Sequence, residues 1–419
     1  MVTKYDIFEA VYTKGTSVSP PELLRIFQKP ASAYAEIYQT LLRLQQDGLL
    51  LKSKKGFQVR LSSRSTLLYR LIRFCLANNL PYNYLIDRNM ANFLQRALAK
   101  KIFSWRDFQL NSRTFTKYID ILNNSGFLLI FSRKPLLAAL FPHSFLQKIC
   151  SFFNLKLSSS AVHLPKISEL ILKKELRLFN QLQKKNIHGY LELVKGYQLR
   201  FIQHSLNLEG NPITLPETVK LLQHQVVPET LGLEAIEEVR NYQLAMGAML
   251  KDVAEKKPLT ITSIFNYHYL ALQHKPSLAG DVRTIAVHIK NNPKFKVAPV
   301  QEINIRLEHL LMKYNQFITK KKPALAEIFH FAAYFHNEFQ HIHPFVDGNS
   351  RTTRLLTFHL LRSVSLPVID IPLGLLEEYL SCTKGAARRE DQRLRQALEL
   401  IVFYNLRLFN EELKRASYK

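Results

Sequence analysis

The 419 residues carry 58 Lys and Arg against 33 Asp and Glu, a formal charge of +25, and 47% are hydrophobic. That length and apolar content suit roughly two to four domains with sizeable cores, and the scarcity of Gly (13) with abundant Leu leans helical, against a sandwich, a barrel or a Gly-rich dinucleotide fold. No stretch approaches the ~20 apolar residues of a membrane helix, and the opening MVTKYDIFEA has no signal-peptide apolar region. Cys75, Cys150 and Cys382 are odd in number, far apart and without metal-ligand spacing, which reads as a reduced, cytoplasmic setting with no membrane partner.

The charge is uneven. Residues 1–160 hold 23 Lys and Arg against 8 Asp and Glu, +15, and the other 259 residues hold 35 against 25, +10. A polyanion, with DNA the first candidate, fits the N-terminal third, and a basic solvated face is the plainer alternative. Residues 1–62 read as a small helical unit. Ser19-Pro20-Pro21 opens one helix, Ser32 caps a second that runs to Gln46, Asp47-Gly48 stops it, and Leu49–Leu61 forms a hairpin with a basic tip. Helix, helix and basic hairpin resemble a winged helix. The same grammar recurs about 78 residues later within 63–150: a short helix at Ser104–Phe108, a helix from Arg113 to Asn124, a stop at Ser125-Gly126 and a strand at Phe127–Phe131. Such folds place a helix in a groove and a wing on phosphates, so Lys52, Lys54 and Lys55 in the first wing and Arg113 and Lys117 on the second helix are candidate DNA contacts. Winged helices also serve as protein-docking modules.

Residues 151–165 look like a linker. From Lys166 the periodicity is helical, over Ile167–Gln183, Leu191–Leu208, Leu233–Lys251, Ala324–His341 and Ser350–Leu361, with a non-helical patch at Val282–Val297. Residues 386–419 read as an amphipathic helix, packed on the core or forming a homodimer contact.

The chemistry concentrates in His343-Pro344-Phe345-Val346-Asp347-Gly348-Asn349-Ser350-Arg351-Thr352-Thr353-Arg354. Pro344 ends one helix, Asp347-Gly348-Asn349 is turn material, and a new helix begins near Ser350. A Gly-containing turn that opens a helix offers N–H groups and a positive dipole end to an anion. Arg351 and Arg354, three apart, project from neighbouring faces of its first turn. Asp347 can hold Mg²⁺ between phosphate oxygens, and His343 can take a proton near neutral pH. Base, metal ligand, anion nest and guanidiniums make a phosphoryl- or nucleotidyl-transfer set. His330 and His336 read as helix histidines rather than metal ligands.

This stretch closely resembles the Fic (filamentation induced by cyclic AMP) motif, HPFx[D/E]GNGRxxR, with Ser350 in place of the second Gly. Gly280–Val287 and Lys294–Pro299 resemble the family's upstream segment and its β-hairpin flap, and the likeness covers roughly residues 190–385, within a domain of 166–385. Ser205-Leu206-Asn207-Leu208-Glu209-Gly210-Asn211 fits the inhibitory pattern [S/T]xxxE[G/N], here N-terminal to the motif on a helix of about 191–210. The resemblance implies an all-helical Fic core with a short β-hairpin flap, which together with the one or two winged-helix-like (α+β) modules read above makes a mostly α fold. It implies a protein adenylyltransferase that uses ATP and Mg²⁺ to modify a Ser, Thr or Tyr hydroxyl of a target protein or of itself. His343 would deprotonate that hydroxyl, and Asp347 would hold Mg²⁺. Gly348 and Asn349 would build the anion nest, and Ser350 could help bind a phosphate. Arg351 would bind the β-phosphate, and Arg354 the γ-phosphate, or Glu209 in the silent state with Ser205 seating the helix. Lys294, Phe295, Lys296 and Val297 in the flap would align the target by strand addition. Arg283 is either a structural ion pair or a site contact. Ser350 costs about 1 kcal/mol or more if its position needs positive φ, and suits the position if it is simply a first-turn residue, the favoured reading. Phosphate transfer or AMP removal on the same fold, and a DNA-binding regulator whose Fic core is a nucleotide sensor or relic, are the alternatives.

Overall fold

The computed structural model describes residues 2–157, 164–289, 292–367 and 370–416. The chain is mostly helical, with two two-stranded hairpins, and divides into compact units over 1–162 and 163–419.

In the first unit α1 (Lys4–Lys14) and α2 (Pro20–Ile26) precede a 3-10 turn at Ala31–Ala33 that leads into α3 (Tyr34–Gln46). Ser32 lies in that turn, and the cap position falls to Ala33. β1 (Leu50–Ser53) and β2 (Gly56–Val59) pair antiparallel around the Lys54-Lys55 tip, with Leu50 opposite Val59. Then come α4 (Ser63–Ala77), α5 (Tyr82–Leu85), α6 (Arg88–Leu98), a 3-10 turn at Trp105–Asp107, α7 (Ser112–Asn124), β3 (Leu128–Arg133), β4 (Leu136–Leu140) and α8 (Ser144–Phe152). The end of α7 and the start of β3 repeat the end of α3 and the start of β1 78 residues on. In both copies an αL glycine closes the helix, Leu49 N–H bonding Leu44 O and Phe127 N–H bonding Leu122 O. In both, an upstream residue also pairs with the hairpin: Val18 with Phe57, and Phe103 with Ala138. Because α8 runs to Phe152, residues 151–152 of the expected linker are helical, and its residues 158–163 lie outside the described ones.

The second unit contains α9 (Glu169–Lys185), α10 (Ile187–Asn207), α11 (Leu215–His224), α12 (Leu233–Ala254), α13 (Ile261–Leu272), α14 (Ile303–Ile318), α15 (Leu325–Ile342), α16 (Asn349–Ser363), α17 (Leu373–Ser381) and α18 (Asp391–Ala416). α16 is its axis. Every residue from Arg351 to Leu361 is buried, and α10, α12, α13 and α15 surround it. α18 buries Leu394, Leu398, Ile401, Leu406 and Phe409 against this unit, so within the 386–419 segment residues 391–416 form a core helix. Among the described residues no helix is long and apolar enough to cross a membrane.

The expected β-hairpin flap is not formed by strands. Among the described residues, 281–289 and 292–299 run as irregular chain, and Lys290 and Asn291 lie outside them. The reason is where its polar groups go. Arg283 donates to the carbonyls of Ile285 and Ala298, and the Ala298 N–H bonds His341 O at 2.8 Å. The flap is bonded to the end of α15 instead of laddering with itself.

Glu175 on α9 is 7% exposed and accepts from Arg407 Nη1 and Asn410 Nδ2 of α18, both at 2.8 Å. Glu175→Ala removes the acceptor shared by the half-buried Arg407, which keeps Glu411, and the buried Asn410 amide, and should cost about 1–2 kcal/mol. The check is the denaturant midpoint for loss of helical signal, and an unchanged midpoint contradicts this packing.

Candidate active site

The site is built where α15 stops and α16 starts. His343 closes α15 in the αL conformation (φ 50°), its N–H bonding Phe339 O, and Pro344 forbids a further turn. The loop to Gly348 is held from three sides. Arg283, 2% exposed, donates through Nε to His343 O at 2.7 Å, and its N–H bonds Pro344 O at 2.8 Å. Of the two readings of Arg283 the geometry gives a clamp on carbonyls, joining the flap to the loop. Asn349 uses both ends of its amide on Phe345, accepting from its N–H at 3.0 Å and donating to its O at 2.7 Å. Phe345 is fully buried and stacks on His268, ring centroids 3.6 Å apart.

Gly348 turns the chain into α16 at φ +80°, and a Cβ there would lie 2.7 Å from Leu272 Cδ1 and 2.9 Å from His268 Nε2. Conformation and space both require glycine. His268 accepts from the Gly280 N–H at Nδ1 and donates from Nε2 to Asp347 O, each at 2.9 Å, so one neutral tautomer fits. The first intrahelical bond of α16 is Thr352 N–H to Gly348 O. The N–H groups of Asn349, Ser350 and Arg351 therefore point out of the helix start, as an anion nest requires. Ser350 is the second residue of α16 and is not in the left-handed region, so it carries no steric penalty.

His343 is 8% exposed, and its Nδ1 lies 3.2 Å from Gln340 O. A carbonyl only accepts, so Nδ1 carries the proton and Nε2 keeps its lone pair, the tautomer of a base. Burial, with Arg283 nearby, pushes the imidazole down to about 4. Asp347 Oδ1 accepts from the Gly348 N–H at 2.6 Å and from Arg351 Nη2 at 3.0 Å, and its carboxylate is 44% exposed. Burial raises this carboxyl, but Arg351, the Gly348 N–H and Lys275 together hold it below its ordinary value.

The two arginines are both engaged by carboxylates. Arg351 donates to Glu238 of α12, whose Oε2 also accepts from Asn211 at 2.7 Å. Arg354, 4% exposed, donates from Nε to Ser205 Oγ at 2.7 Å and from Nη2 to Ser205 O at 2.8 Å and Glu209 Oε1 at 2.9 Å. Ser205 Oγ in turn donates to Tyr242 OH at 2.8 Å, which donates to Arg351 O at 3.1 Å. Glu209 sits on the turn just past α10, where the Asn211 N–H closes onto Leu206 O. Lys384 Nζ reaches both of its oxygens, at 3.1 and 3.0 Å. Burial raises the Glu209 carboxyl, and Arg354 and Lys384 outweigh it, so it stays below its ordinary value.

In the flap, Phe295 turns inward and stacks on His341 with centroids 4.3 Å apart, while Lys294 and Lys296 are exposed and Val297 is half-buried. In the first unit Lys52 lies over the Tyr38 ring and Lys117 over Tyr84, while Lys54, Lys55 and Arg113 are exposed. His268, Glu238, Tyr242 and Lys384 were missed by sequence reasoning. Glu238 and Tyr242 stand four apart on one helix face, which is a signal only once α12 is known to pack on α16.

The buried imidazoles give a pH prediction. His268, His343 and His359 are held near 4, and an unfolded histidine titrates near 6.5. Between those values the unfolded chain binds more protons, so stability should fall as pH drops from 6.5 toward 4. An NMR titration of His343 should show a midpoint near 4, and a midpoint near 6.5 contradicts its burial.

Comparison with known proteins bears on this geometry. Residues 258–361 match the family model described as Fic/DOC family. Over 193 residues the chain is 29% identical to the protein adenylyltransferase Fic of Drosophila persimilis, covering 46% of this chain and 37% of that one. The match to the Drosophila melanogaster protein of that name is also 29% identical, covering 38% of its length. The chain thus spans well under half the length of these curated relatives. A Fic domain-containing signaling protein from Bacteroides thetaiotaomicron shares the fold at TM-score 0.51 and 21% identity, covering 59% of this chain and 98% of that one. The match to the Fic/DOC family model thus runs from just before α13 into α16 and takes in the whole stretch from His343 to Arg354.

Proposed function

We propose that this protein is an adenylyltransferase that moves AMP from ATP to a hydroxyl of a target protein or of itself, and that Glu209 holds it off. The observation that carries the reading is the His343 tautomer, with Nε2 free to take a proton beside the anion nest at the start of α16. The name of the Drosophila relatives supports the same reaction.

The hydroxyl oxygen attacks the α-phosphorus while His343 Nε2 accepts its proton. The bond to the β-phosphate oxygen breaks, and pyrophosphate leaves. The N–H groups of Asn349, Ser350 and Arg351 meet the charge on the phosphate oxygens. The Asp347 carboxylate, half-exposed at the loop, fits Mg²⁺, which binds through one or two carboxylates plus phosphate oxygens and would neutralise phosphate charge there. Arg354 engaged by Glu209 cannot also neutralise the γ-phosphate, so ATP lies misaligned for in-line attack.

Transfer of label from α-labelled ATP, but not from γ-labelled ATP, should rise by orders of magnitude in Glu209→Gly relative to the parent. His343→Ala in that background should abolish transfer while ATP affinity stays within a few-fold. Transfer of the γ-label instead would make the domain a phosphotransferase. Equal α-label incorporation by parent and Glu209→Gly would end the role of Glu209.

The first unit favours a second role. Its duplicated helix–hairpin pattern, the exposed Lys54-Lys55 tip and the +15 charge of residues 1–160 support two winged-helix-like modules on duplex DNA. The full chain should bind duplex DNA at low salt. Lys54→Glu with Lys55→Glu should weaken it and lower the log–log salt slope by about 0.9 for each phosphate that is no longer neutralised. Binding that ignores salt would favour protein docking.

A further inference from the structure

The Glu209 carboxylate is held by two cations, and the inhibitory pattern in the sequence accounts for only one of them. Arg354 takes Oε1 from the floor of the site. Lys384 Nζ donates to both oxygens and also lies 3.4 Å from Leu208 O. Lys384 stands in the turn after α17, and that turn is fixed. Gly385 N–H bonds Leu380 O at 2.9 Å, Thr383 Oγ1 bonds Tyr379 O at 2.8 Å, and Asn292 Nδ2 spans the carbonyls of Lys384 and Ala386. The turn thus fixes the Lys384 backbone within side-chain reach of Glu209.

Charge favours a different occupant. One carboxylate leaves a pair of cations with an excess of one positive charge, whereas the terminal phosphate of a nucleoside triphosphate brings close to two negative charges and three acceptor oxygens. We propose that Lys384 is a second γ-phosphate ligand: it pairs with Glu209 in the resting protein and, once that carboxylate leaves, closes with Arg354 on the terminal phosphate of ATP. This rests on the nucleotide-transfer reading above and adds a consequence, that Lys384 makes the site prefer a triphosphate over a diphosphate.

The Lys384 side chain is 26% exposed, and its hydrogen-bond partners among the described residues are Glu209 and Leu208 O. Calorimetry with ATP and with ADP on four full-length proteins tests the assignment: parent, Glu209→Gly, Lys384→Ala and the double variant. In the Glu209→Gly background, Lys384→Ala should lower ATP affinity by about tenfold, as removal of a charge-assisted hydrogen bond does, and leave ADP affinity unchanged. In the parent, where Glu209 already occupies the lysine, the same change should lower ATP affinity by less than about threefold, a non-additivity expected of groups sharing one partner. Lys384→Arg should restore the preference for ATP. Equal losses for ATP and ADP, equal losses in the two backgrounds, or no loss at all would overturn the assignment while leaving the nucleotide site standing. Failure of Glu209→Gly itself to bind ATP would sink both.

Discussion

A guanidinium 4% exposed in the middle of a helical domain must have an anion beside it, and the neighbourhood of Arg354 is organised around that need. Ser205 supplies a hydroxyl and a carbonyl, and Glu209 supplies the charge. To bring them there α10 has to stop at Asn207 and fold back, which Asn207 secures by donating to the carbonyls of Asn211 and Ile213. Asn211 then ties Glu238, and Glu238 ties Arg351. The turn that brings Glu209 to Arg354 therefore also reaches Arg351, and Tyr242 links the two through Ser205 Oγ and Arg351 O.

The other half of the site is rigid for a different reason. The loop from His343 to Gly348 has almost no regular structure of its own, yet its carbonyls at His343, Pro344, Phe345 and Asp347 are each taken by Arg283, Asn349 or His268. An anion at the N–H groups that open α16 would meet a backbone already ordered, which is the condition for electrostatic stabilisation without reorganisation. Burial serves the same end at His343 by keeping the imidazole neutral.

The contiguous part of the site was legible in the sequence because its elements are local: a Pro stop, a Gly turn, a helix start and two arginines at helical spacing. Glu209 was legible because Ser205 and Glu209 stand in a short pattern. Lys384, Glu238, Tyr242 and His268 were not, since each reaches the site from a separate helix or turn and only packing brings them together. The flap misled for a physical reason. The hairpin was expected from the resemblance of Lys294–Pro299 to the family's flap, but Arg283 and His341 take polar groups that a hairpin would have paired. In the first unit the repeat was readable from the glycine stops, while Ser32 was not a cap because the chain enters α3 through a 3-10 turn.

In the proposed mechanism Glu209 stands where a terminal phosphate belongs. A crystal structure of the Glu209→Gly protein with a non-hydrolysable ATP analogue is the decisive experiment. The expected result is the γ-phosphate on Arg354, the α-phosphate at the N–H groups of Asn349, Ser350 and Arg351, and His343 Nε2 facing the α-phosphorus. A γ-phosphate that leaves Arg354 bonded only to Ser205, or an analogue seated elsewhere in the domain, would contradict it.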